Sequence, residues 1–212
     1  MDWDALLERQ RARYADGEAR GRPEQLVRMG NAAYGAALAL LMLGRESEAS
    51  DWLGYAAARW SESWAVATPT SWGRPIGAIK ALLIAGRDAE AEAAAHWTLE
   101  LGSATAESPV GRYAASLALL TLARWPEARH VAASLRERDD FPRDVADALA
   151  LIAAHDAAGY VEAVESVLES FETRDAYLED AAVADTVLAL QALARRRGIA
   201  AKLPPSPVLP RG

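Results

Sequence analysis

The sequence predicts an all-α protein, and three observations carry that reading. Ala and Leu dominate while strand-favouring Val, Ile, Thr and Phe are sparse, so local propensity leans towards helix along almost the whole chain. Apolar residues recur at three- and four-residue steps, the spacing of a buried helix face. One pattern also repeats: a paired aliphatic step, a short polar turn and a Glu-Ala pair. It reads LLMLGRESEA from Leu40, LLIAGRDAEA from Leu82, LLTLARWPEA from Leu119 and LIAAHDAAGYVEA from Leu151.

Residues 2–14, DWDALLERQRARY, place Trp3, Leu6, Leu7 and Tyr14 at helical spacing beneath a charged face, which predicts an amphipathic helix. Gly17, Gly21 and Pro23 are expected to end it. From there the pattern becomes paired helices, and Pro23, Pro75, Pro109 and Pro142 each stand at or just before a first turn. Proline suits that place because its missing N–H would have no partner inside the helix. Ser108 ahead of Pro109 adds an N-cap. Each second helix is expected to begin near a Glu-Ala step, at Glu48-Ala49, Glu90-Ala91, Glu127-Ala128 and Glu162-Ala163, with intervals of 42, 37 and 35 residues. Ala lets two antiparallel helices approach closely, and Glu in a first turn favours the positive end of the helix dipole. The spacing makes residues 155–159 a longer fourth turn. A last helix is expected over 180–197, closed by Gly198. The four prolines of LPPSPVLPRG forbid helix in the tail, which is expected to run extended across a surface or stay mobile. An even spread of apolar residues predicts one domain over 1–212: an amphipathic helix and linker over 1–21, hairpins over 22–198 and a Pro-rich tail over 199–212.

LLMLGRESEASDWL and LLIAGRDAEAEAA resemble the tetratricopeptide pattern, in which a Gly turn precedes a Glu-Ala pair and aliphatic or aromatic residues follow. The likeness covers about residues 23–171 and lacks the motif's closing Pro. It implies antiparallel hairpins stacked as a right-handed superhelix, an α-solenoid. A shorter likeness, over residues 183–210, is to the all-helical immunity proteins of bacterial toxin systems.

A formal net charge of −7 argues against nucleic acid as a partner, since phosphate neutralisation needs a basic stripe and the longest basic run is Arg195-Arg196-Arg197. That run is expected to serve the negative end of a helix. The absence of Cys excludes thiol chemistry and disulfides. No apolar stretch approaches the ~20 residues of a membrane span, and no leader is recognisable, so a cytoplasmic chain with no membrane partner is expected. His96, His130 and His155 are scattered without metal-ligand spacing, and no phosphate loop or nucleophile elbow appears. No catalytic group, metal or cofactor is therefore expected.

Laying the tetratricopeptide register on the first helices makes Asn31, Tyr34, Leu38, Leu41, Ile76, Lys80, Leu83, Val110, Tyr113, Leu117, Leu120, Val145, Leu149 and Ile152 face a groove. Such a surface is too apolar to meet water. The Trp3 helix, the Pro-rich tail, a second copy or a partner is expected to cover it. Trp52, Trp60 and Trp64 share one helix face, and Trp72 follows across a Pro- and Gly-containing loop. The polar groups and rings expected to meet at a groove mouth are Tyr34, Trp64, Trp72, Arg74, Lys80 and Tyr113. The expected function is a non-enzymatic module binding a protein or peptide through the groove. Alternatives are an immunity protein that neutralises a basic toxin, a small-molecule binder or enzyme with a closed helical pocket, and a homodimer that buries the groove against itself.

Overall fold

The computed structural model describes residues 1–211. Helix α1 spans Trp3–Arg20, α2 Leu26–Met42, α3 Glu46–Ser63, α4 Gly73–Ile84 and α5 Asp88–Glu100. Helix α6 spans Pro109–Thr121, α7 Trp125–Arg136, α8 Arg143–Ala154, α9 Ala157–Glu172 and α10 Asp185–Arg196. No strand occurs among the described residues, as the all-α expectation requires. Among them, no helix is long and apolar enough to cross a membrane.

The first helix runs past its expected end to Arg20, because Gly17 does not break it. A Cβ on Gly17 would lie 2.4 Å from Met29 Cγ, so this glycine serves a close approach of α2. Termination falls to Gly21, whose φ of 58° lets its N–H return to Glu18. At the other end the Asp2 carboxylate accepts the Ala5 N–H at 3.0 Å.

The hairpin turns share one mechanism. Gly44 and Gly86 take left-handed φ values of 72° and 67°, and Ala123 holds the same conformation at 54°. The next residue, Arg45, Arg87 or Arg124, is the N-cap, and its guanidinium pairs with the Glu three positions on at 2.7 Å. The following Ala49, Ala91 and Ala128 are fully buried, as close helix contact requires. The fourth turn departs from expectation. His155 is the left-handed residue, Asp156 is the N-cap accepting the Gly159 N–H at 3.0 Å, and the buried position belongs to Tyr160. The turn is therefore short, and Glu162-Ala163 lies a turn inside α9. Counted on N-caps 45, 87, 124 and 156, the intervals are 42, 37 and 32 residues. Ser108 caps α6 as expected, accepting the Gly111 N–H at 3.1 Å.

Each helix from α1 to α9 packs on the next in sequence, and the first helices also meet one another, α4 on α6 and α6 on α8. Helix α10 lies against α4, α8 and α9. It begins at Asp185 rather than at 180, because Leu178–Asp180 form a 3₁₀ turn in which Glu179 and Asp180 are left-handed. The tail returns along it: the Ala184 N–H donates to Val208 O at 2.8 Å, and Ile199 and Val208 are buried. Arg196 donates to Thr121 O at 3.0 Å, and Arg197 donates to Ala153 O at 3.1 Å while lying 4.0 Å over the Trp125 ring. The basic run thus serves helix C-termini, as expected: Arg195 and Arg196 stand in the last turn of α10, and Arg196 and Arg197 also reach those of α6 and α8.

Ser108→Ala and Asp156→Ala should each lower the unfolding free energy by about 1 kcal/mol in urea titrations, since each orphans a first-turn N–H. Gly77→Ala should lose about 1–3 kcal/mol by overpacking, because its Cβ would fall 2.7 Å from Trp60 Cε3. Gly73→Ala, with open space around it, should change little.

Candidate functional site

Helix α3 sends Trp60 inward between α2 and α4, and two glycines make that possible. A Cβ on Gly30 would lie 2.7 Å from Trp60 Cδ1, and one on Gly77 would lie 2.7 Å from Cε3. The indole Nε1–H donates to Asn31 Oδ1 at 2.9 Å. That bond fixes the Asn31 amide, so its Nδ2 is turned away from the indole and has no protein partner among the described residues. The Tyr34 ring stacks tilted on Trp60, with centroids 5.2 Å apart.

One turn further along α2 and α4 lies a buried polar network. Asp185, in the first turn of α10, accepts from Lys80 Nζ at 2.7 Å and from the Tyr34 hydroxyl at 2.9 Å. Lys80 also donates to Thr186 Oγ1 at 3.0 Å. The Lys80 and Asp185 side chains are only 11% and 15% exposed. Burial would raise the Asp185 carboxyl, but the Lys80 charge and the Lys80 and Tyr34 hydrogen bonds outweigh it and hold the group below the usual carboxylate range. Burial first, and then the Asp185 charge, push the Tyr34 and Tyr113 phenols well above their ordinary value.

Beside this network a cavity of about 430 Å³ opens between α2, α4 and the turn before α10. Tyr34, Arg74 and Lys80, three of the six predicted residues, line it together with Asn31, Trp60 and Asp185. Arg74 is held by its Nη1–H, which donates to Ser63 O at 2.6 Å. The other three predicted residues do not reach the cavity. Trp72 is buried, with its indole Nε1 only 3.0 Å from where a Cβ of Gly111 would stand, and Trp64 packs on Trp72 and Trp97 at 5.9 and 6.0 Å. Tyr113 packs on Phe141 at 5.4 Å.

The groove register is right about burial at most positions; Leu38, Ile76, Leu83, Leu117, Leu120, Leu149 and Ile152 are all covered, whereas Val110 is 46% exposed. Of the expected covers the Pro-rich tail takes part, and a second element, α10, was not among them. Helix α10 lies on α4 and α8, the turn before it lies on α2, and the tail packs beside it. Sequence reasoning missed Asp185 as the partner of Lys80 and Trp60 as the cavity's ring. The available signals were an acid opening an apolar helix and two helix-interior glycines, Gly30 and Gly77, that leave room for a large side chain.

A larger cavity, about 930 Å³, lies under the tail between Trp3, Met42 and residues 203–211, and Arg211 is its one charged side chain. Among the described residues no group of three His, Asp or Glu is placed to hold a metal. No family model, curated protein or solved structure matches the chain.

Removing one partner of a buried ion pair strands the other charge, so Lys80→Met or Asp185→Ala should cost about 3 kcal/mol, and the double variant Lys80→Met/Asp185→Leu should recover much of it. The depressed Asp185 value adds stability that is full above the unfolded carboxyl value of about 3.9 and is lost as pH falls below it. The difference in unfolding free energy between wild type and Asp185→Asn should therefore be constant from neutral pH down to about 4 and shrink under more acid conditions.

Proposed function

We propose that the protein is a non-enzymatic binding protein that takes a small ligand in the cavity between α2, α4 and α10. The seating of α10 on the first helices carries this reading. It covers with the protein's own chain the part of the apolar face formed by α4 and α8, and it leaves a mouth open where Tyr34, Arg74 and Lys80 converge. The cavity's size falls in the range of small-molecule sites. Asp185 and Lys80 are committed to each other, which leaves neither as a free acid or base and supports binding rather than catalysis. The stacking of successive hairpins supports a tetratricopeptide-like right-handed superhelix as the frame that holds the site.

A second reading is a protein-binding module, with toxin neutralisation as its specific form. The exposed face of α9 favours it: Glu162, Glu165, Glu169 and Glu172 lie on one side of the helix with no cationic partner among the described residues. In a chain of net charge −7 such a face suits a basic protein.

The two readings separate in one comparison. A screen of small molecules by thermal shift should raise the melting temperature of the wild type, by the equivalent of about 2.7 kcal/mol at a hundredfold excess over Kd. Val27→Trp, which fills the cavity mouth, should abolish that shift. A basic protein that co-purifies equally with wild type and Val27→Trp, and is lost when the four α9 glutamates become Gln, would replace the cavity reading with the second.

A further inference from the structure

The cavity's charge and hydrogen-bond inventory narrows its ligand. Arg74 and Lys80 bring two positive charges to it and Asp185 one negative charge, so the lining is net positive in a chain that is net −7. The carboxylate is already engaged by Tyr34, Lys80 and Thr186. The other side-chain oxygens of the lining have partners too: Asn31 Oδ1 takes the Trp60 N–H, the Tyr34 hydroxyl donates to Asp185, and Ser71 Oγ pairs with Thr68 at 2.9 Å. The amide and cationic groups left over are donors. Asn31 Nδ2 has no protein partner among the described residues, and Arg74 uses only Nη1, which anchors the guanidinium to Ser63 O and leaves Nε and Nη2 open. A surface with spare donors and spare positive charge calls for a group that only accepts hydrogen bonds and carries one negative charge. A carboxylate meets both demands and matches the planar fork of Arg.

The remaining walls are apolar. Val27, Trp60, Ile76 and Leu178 line the cavity, with Leu178 half-exposed at its rim. A fully hydrated ion would gain nothing there, whereas an aliphatic or aromatic body would bury surface at about 25 cal/mol per Å². A cationic ligand would meet two like charges, and a polyanion would meet Asp185 and the apolar walls. We propose that the cavity binds an amphipathic monocarboxylate, with its carboxylate on Arg74 and Asn31 and its body against Trp60, Val27, Ile76 and Leu178. This rests on the reading of the cavity as the protein's binding site and adds the chemical class of what it takes.

Isothermal titration of the full chain with octanoate, octan-1-ol, octylammonium and inorganic phosphate tests the class and the site separately. Octanoate should bind one molecule per chain. Arg74→Leu should weaken it about tenfold or more by removing charge-assisted hydrogen bonds. Asn31→Asp keeps an acceptor for the Trp60 N–H and so preserves the packing around the indole. It replaces the free donor by a like charge and should also weaken octanoate about tenfold or more. Val27→Trp should abolish binding. Circular dichroism melts of each variant establish that the fold is intact. If octan-1-ol or octylammonium bound as tightly as octanoate and were lost in Val27→Trp, the cavity would stand as a site and the carboxylate assignment would be overturned. Phosphate binding as tight as octanoate would overturn the apolar half of the proposal. No binding by any of the four probes would overturn the carboxylate assignment, and a cavity reading would then survive only if the broader thermal-shift screen found a ligand sensitive to Val27→Trp.

Discussion

The ion pair between Lys80 and Asp185 is the interaction on which the rest of the structure depends. The first helices present a row of aliphatic side chains that cannot remain in water, and α10, seated on α4 and α8, is the main helix that covers them, with the turn before it on α2. An apolar helix on an apolar surface has little to stop it from sliding or rotating. Charges at both ends supply the register. At the N-terminal end Asp185 sits in α10's own first turn, where the dipole favours an acid, and meets the single buried lysine. At the C-terminal end Arg196 meets Asp88 and Glu92 at 2.6 Å and takes up a carbonyl of α6, while Arg197 takes up one of α8. A buried pair of this kind adds little net stability over an apolar pair, so its value lies in fixing one arrangement.

The segment that brings α10 back over the hairpins is under strain, and α1 restrains it. Glu179 and Asp180 both hold left-handed backbone conformations, at a cost of about 1 kcal/mol or more each for a residue with a Cβ. Three residues of α1 offset that cost. Arg9 pairs with Asp180 at 3.1 Å, Arg13 pairs with Glu179, and Gln10, fully buried, donates to Glu179 O at 3.1 Å. Gly35 on α2 lets the segment come this close, since a Cβ there would lie 3.0 Å from both Gln10 and Glu179. The consequence reaches the cavity, because the same turn sets Leu178 at its rim and Asp185 at its inner wall. The N-terminal helix therefore shapes the candidate site without lining it.

The hairpins themselves were legible because their information is local. The Arg–Glu pairs at the turns, the left-handed glycines, the Ser108 cap and the buried Ala positions all lie within a few residues of one another. The fourth turn was misplaced because Glu162-Ala163 imitates the motif while the cap is Asp156, a side chain that bonds its own backbone rather than an Arg that pairs with Glu. The end of α1 was misplaced because a glycine can mark a helix end or a close contact, and at Gly17 the deciding atom belongs to Met29.

For the candidate site the division is the same. Composition and periodicity alone determined that the chain is all-helical, and the register implied by the tetratricopeptide resemblance made the first helices apolar enough to need a cover, with Asn31, Tyr34, Lys80 and Tyr113 as polar exceptions and Arg74 in the loop at the mouth. Only the tertiary structure decided that α10 returns over the first helices, that Lys80 faces Asp185 across 105 positions of sequence, that Tyr113 stands beside Asp185 without lining the cavity, and that Trp64 and Trp72 pack elsewhere. The physical reason is that a helical pattern states which face is buried but not against what. The partner is chosen by charges and small residues far apart in the chain, and those meet only after folding.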